Sequence, residues 1–138
     1  MDTAPATVTR ALTLELIDAS GTATPLEAEL RYETTDPYAV SAVFRTGEST
    51  VRWVFGRDLL MAGIFDPTGD GDVHVWPCLD ARGHAVTIIE LSSPDGEALM
   101  QARSDDVSEF LRSTEKLVPI GDEENHVDLD DVVAQLLG

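Results

Sequence analysis

Residues 66–77 read DPTGDGDVHVWP. In a calcium loop of the EF-hand type, Asp66 would supply the first ligand, Thr68 the third position, Asp70 the fifth and Gly71 the turn glycine. The twelfth position needs a bidentate glutamate and holds Pro77, and VHVW alternates like a strand where a flanking helix should begin. Pro67, Gly69 and Gly71 are better explained as turn geometry leading into that strand. The segment Asp66–Asp72 is therefore expected to be a structural acidic turn, with weak divalent-ion binding left open.

The other reactive residues do not assemble into a motif. His74, His84 and His126 lack the paired spacings of zinc sites. His74 and Cys78 in HVWPC share a fragment of the zinc-deaminase signature, but the second cysteine and the glutamate are missing. Cys78, the sole cysteine, excludes an intramolecular disulfide and is expected to be a part-buried small side chain at a strand end. Ser92 and Ser93 precede Pro94 and make no nucleophile elbow. Neither G-x-x-x-x-G-K-[ST] nor G-x-G-x-x-G occurs. Trp53, Trp76, Tyr38 and Phe55 read as core rather than as stacking platforms. No catalytic, cofactor-binding or metal residue is assigned.

Composition sharpens the class. The 138 residues are enough for one domain and are 43% apolar, as a folded chain requires. The net charge is −17, and eight arginines and Lys116 are scattered along the chain with none beyond it. Nucleic-acid binders gather positive charge, so no nucleic-acid partner is expected. No apolar run approaches a membrane span, and the N-terminus shows no secretory pattern, so the cytoplasm is the expected compartment.

The elements that would position any site follow from period. Alternation marks strands at Thr9–Ile17, Leu26–Glu33, Ala39–Thr46, Val51–Phe55, Val73–Trp76, Ala85–Leu91 and Glu97–Ala102. Arg57–Ala62 reads as a short helix stopped by Gly63. From a cap at Ser104, the residues Val107, Phe110, Leu111, Leu117 and Val118 take helical spacing. Beyond Pro119 and Gly121, a second stripe (Leu129, Val132, Val133, Leu136, Leu137) follows a cap at Asp128. Seven strands, one short internal helix and two C-terminal helices make an α+β domain spanning 1–138, with 1–8 expected to be flexible. That second stripe and the short helix Arg57, Asp58, Leu59, Leu60 are the two conceivable contact surfaces, although packing on the protein's own sheet explains the stripe better.

Longer stretches carry a resemblance. LRYETTDPYAV (30–40), WVFGRDLLMAGIFDPTGDGDVHVWP (53–77), LSSPDGEAL (91–99) and the final VDLDDVV resemble the SsgA-like proteins of sporulating actinobacteria. The match runs in order from about Leu26 onward, with Gly56 standing where the family leads one to expect alanine. Length and the central stretches look most like the SsgB type. The resemblance implies a cytoplasmic, non-enzymatic regulator of sporulation-specific division, located at the septum, that recruits FtsZ with SsgA-type partners. It also implies two antiparallel sheets with packed helices, resembling the Whirly-type fold, assembled as a homotrimer. The alternative it suggests is a Whirly-like single-stranded nucleic-acid-binding regulator, against which the charge argues.

Overall fold

The computed structural model describes residues 5–127 and Leu136. The alternating segments become strands β1 (Thr7–Ile17), β2 (Ala23–Glu33), β3 (Ala39–Thr46), β4 (Ser49–Gly56), β5 (Thr68–Asp70), β6 (Val73–Leu79), β7 (Ala85–Ser93) and β8 (Gly96–Arg103). The helices are α1 (Arg57–Gly63) and α2 (Ser104–Leu117), followed by a 3-10 turn at Glu123–His126. All neighbouring strands are antiparallel, in the order β4-β3-β2-β1-β8-β7-β6-β5.

The expectation of two sheets is thus corrected to one curled sheet of eight strands. Its halves are two meanders, β1–β4 and β5–β8, joined where Glu15–Ile17 of β1 pairs with Leu99–Gln101 of β8. The two sheets that the resemblance implied are therefore two halves of one sheet, joined by a seam three residues long. The uncounted strand is β5, three residues inside the acidic segment and too short to show a period. At the N-terminus, Thr7 and Val8 already pair with Glu33 and Tyr32, so ordered strand begins within the stretch expected to be flexible.

Alternation sets which face is buried. Ala28, Leu30 and Tyr32 of β2 point inward, as do Val40, Ala42 and Phe44 of β3. From the other half come Val73, Val75, Ile89, Leu91, Met100 and Ala102. Onto this face α2 lays Val107, Phe110, Leu111 and Thr114, the i, i+3, i+4, i+7 stripe of an amphipathic helix. Thr114 takes the place expected of Leu117, which is 37% exposed. Burial of its hydroxyl is tolerated because Oγ1 donates to the Leu111 carbonyl at 2.6 Å. Arg10 of β1 fastens the helix from outside, 2.8 Å from both Asp106 and Glu109.

Three local expectations need revision. Ser104 is the first residue of α2 rather than its cap, and its hydroxyl lies 3.0 Å from that of Thr87. Gly63 does not stop α1 by adopting a left-handed conformation; its φ is not positive, and α1 ends on Ile64 at φ −73°. A Cβ on Gly63 would fall 2.3 Å from Val75 Cγ1, so glycine is there to let α1 approach β6. Tyr38, taken for core, is 49% exposed. Apart from Leu136, which is 80% exposed, the stripe Leu129–Leu137 lies outside the described residues.

Candidate functional site

The acidic segment folds as a hairpin. Asp70 pairs with Val73, leaving a two-residue turn in which Gly71 takes φ 60°, a conformation that favours glycine. The Asp72 carbonyl accepts the Ser92 N–H at 2.9 Å, and the Thr68 hydroxyl donates to the Asp66 carbonyl at 2.9 Å. Gly69 leaves room for the ring of His74 opposite, since a Cβ there would sit 2.4 Å from His74 Cδ2. The Thr68 hydroxyl and the backbone carbonyls of Asp66 and Asp72 are therefore tied into turn and strand geometry. Among the described residues, no three His, Cys, Asp or Glu side chains converge as metal ligands.

The histidines remain apart. His74 lies 3.6 Å from Glu90, His84 3.4 Å from Asp80 and His126 3.9 Å from Asp122. Cys78 is exposed, contrary to the expectation of partial burial, and its thiol donates to the adjacent Leu79 carbonyl at 3.4 Å. Phe55 is buried, Trp53 packs against the core and Trp76 is half-buried.

The short helix is not the open surface it could have been. Arg57, Leu59 and Leu60 are buried, and only Asp58 of that quartet is exposed. Arg57 is 1% exposed and acts as a clasp. One of its terminal nitrogens donates to the Val118 carbonyl at 2.8 Å, and the other meets Glu123 Oε1 at 2.8 Å. Its guanidinium lies 5.0 Å from the centre of the Tyr32 ring, a cation–π contact. Glu123 Oε2 accepts the Gly121 N–H at 2.9 Å. The Glu123 carboxyl is held below the usual carboxylate range, first by its own backbone N–H and next by Arg57. Together these bonds hold the chain beyond α2 against the start of α1. Sequence reasoning missed Glu123 because its partner is 66 positions away. The available signal was an arginine opening an otherwise apolar helix.

What remains at the surface is acidic, with separate exposed apolar side chains such as Val54, Phe65, Leu79 and Ile120. No helix among the described residues is long and apolar enough to cross a membrane. Residues 26–123 match the family described as SsgA, Streptomyces sporulation and cell division protein. The chain belongs to the SsgA family. Within it, the sporulation-specific cell division protein SsgB of Streptomyces coelicolor is 49% identical over 132 residues, covering 95% of this chain and 96% of its own. The SsgB protein of Thermobifida fusca is 41% identical over 138 residues, covering 99% of both.

Solved structures agree with the SsgA-family assignment. One, from work relating mutations in SsgB to longitudinal cell division during sporulation of Streptomyces coelicolor, superposes with a TM-score of 0.85 at 46% identity. It covers 91% of this chain and 99% of the other. The SsgA-like sporulation-specific cell division protein of Thermobifida fusca gives 0.87 at 40% identity, covering 98% of each.

Proposed function

We propose that this protein is a non-enzymatic regulator of sporulation-specific cell division, acting in the cytoplasm at the septum, where it positions division by recruiting FtsZ. The observation that carries the reading is near full-length similarity to proteins named sporulation-specific cell division protein SsgB. That name supports a role in sporulation cell division; FtsZ recruitment, cooperation with SsgA-type partners and a homotrimer are our extension of it. The geometry is compatible, because Thr68 and Asp80 serve turns, Arg57 and Glu123 serve a clasp, and the chain is strongly acidic. A trimer presenting several copies of a weak contact would gain strength by multivalency on a filament. The whole chain acts as one domain in this reading.

The test is co-sedimentation of purified protein with FtsZ polymers, alone and with an SsgA-type partner, alongside light scattering for mass. The expected result is pelleting that saturates with FtsZ and weakens as salt screens charged contacts. A monomer that leaves FtsZ unaffected under both conditions would refute the reading.

A further inference from the structure

Strands β1 and β8 run together only from Glu15 to Ile17, and past the Glu15–Gln101 pair they part. At that fork a cavity of about 620 Å³ opens, lined by Thr13 and Glu15 on one arm and Gln101 and Arg103 on the other. These residues alternate with the inward-facing Leu14, Met100 and Ala102, so the cavity lies on the sheet face opposite α2. Its volume falls within the range of small-ligand pockets. The third wall is the loop joining β6 to β7, which contributes Arg82.

That loop is built before any ligand arrives. Asp80 N–H donates to the His84 carbonyl at 2.9 Å, and Gly83 N–H donates to the Asp80 carbonyl at 3.0 Å. Asp80 Oδ1 accepts the backbone N–H groups of Arg82 and His84 at 2.8 and 2.9 Å. Asp80 Oδ1 is therefore committed to holding the loop, and its Oδ2 lies 3.4 Å from His84 Nδ1, so the carboxylate stays in the lining with its charge. Glu15 is the remaining carboxylate in the lining. Arg10, Arg31, Arg52 and Arg57 are engaged by the protein's own side chains. Among the described residues, no side-chain acceptor lies within hydrogen-bond or ion-pair reach of the guanidinium of Arg82 or Arg103.

Arg82 and Arg103 thus stand in one lining with Glu15 and Asp80, and the four formal charges cancel. What is left over is hydrogen-bonding capacity, two guanidinium forks without a side-chain acceptor among the described residues, in a chain whose net charge is −17. Beside them Ile17, Pro25 and Val86 supply an apolar wall. We propose that this cavity binds a monoanionic carboxylate carried on a short aliphatic body, either a free small acid or the C-terminus of a polypeptide. Arginine's planar fork fits a carboxylate with two parallel hydrogen bonds. Glu15 and Asp80 together disfavour a dianion such as phosphate, whose second charge would meet them without a partner. The proposal stands apart from FtsZ recruitment and does not depend on it.

Nuclear magnetic resonance on the full chain tests it, with butyrate as the free acid, N-acetyl-alanyl-alanine as the peptide end and inorganic phosphate as the control. Saturable shifts at Thr13, Arg82, Gln101 and Arg103 are expected with one carboxylate, and the tighter probe identifies the source. Arg82→Gln and Arg103→Gln, both at exposed positions, should keep a folded spectrum and each weaken that binding about tenfold, the loss of one charge-assisted contact. Shifts that stay linear to about 20 mM with both carboxylates would overturn the proposal. So would unchanged affinity in the two variants, or tighter binding of phosphate.

Discussion

Gly63→Ala is the substitution whose outcome separates the two explanations of this glycine. If Gly63 were only a helix stop, or were merely tolerated near the end of α1, alanine would gain up to about 1 kcal/mol of helix propensity. The structure argues the opposite sign. The added methyl would sit 2.3 Å from Val75 Cγ1, 2.5 Å from Val75 Cβ and 3.2 Å from the Val75 carbonyl oxygen. Carbon atoms prefer about 3.5–4.0 Å, so the overlap exceeds roughly 1 Å. Val75 cannot retreat. It is fully buried and pairs with Thr68 on one side and Ile89 on the other. Relief must come from moving α1, and overpacking of this kind costs about 1–3 kcal/mol.

At this chain length each kcal/mol moves the melting temperature by about 3–5 °C, so a fall of about 3–15 °C is expected by calorimetry. Gly56→Ala is the internal control at the other end of the same helix. Its Cβ would find Leu59 atoms at 3.9 and 4.0 Å, and the backbone there is extended at φ −68°. It should be neutral or stabilising by up to about 1 kcal/mol. A double mutant Gly63→Ala, Val75→Ala should recover part of the loss, with a coupling of at least about 0.5 kcal/mol. A Gly63→Ala protein as stable as its parent would refute the close-approach argument.

Three further outcomes follow from the same geometry. Tyr32→Phe keeps the ring beneath Arg57 but removes the hydroxyl that donates to the Pro37 carbonyl at 2.9 Å, so urea unfolding should show a loss of about 1–2 kcal/mol. Glu123→Gln tests the clasp through pH: a depressed folded-state pKa contributes stability above the unfolded value, near 4.3, and that contribution is lost as pH falls through the folded value. The stability gap between parent and variant should therefore be full at pH 7 and shrink below about pH 4, and a gap constant across that window would contradict the role given to Glu123. Calcium at about 1 mM should leave the melting temperature unchanged, whereas a micromolar site would add about 4 kcal/mol; a rise abolished by Asp70→Ala would restore the metal reading of the acidic hairpin.

Period and turn chemistry by themselves determined much of this protein. Alternation placed β2 with its inward Ala28, Leu30 and Tyr32, and helical spacing placed Val107, Phe110 and Leu111 on the buried face of α2. Pro77 at the twelfth position of the acidic segment was enough to favour a turn, because a missing bidentate ligand is a local fact. The long family-like stretches carried the kinship that full-length similarity supports. Other features belong to the tertiary structure alone. The joining of the two meanders into one sheet depends on three residues of β1 meeting β8, positions more than eighty apart, and strand patterning records which face is buried but not which strand lies alongside. The burial of Arg57 depends on a carboxylate 66 residues away, and the need for glycine at position 63 on a valine of another element. The cavity at the β1–β8 fork has no counterpart in sequence order, since its lining comes from segments that meet only when the sheet curls. Each of these rests on a long-range approach of atoms, which residue type and local spacing do not encode and which only the packed chain decides.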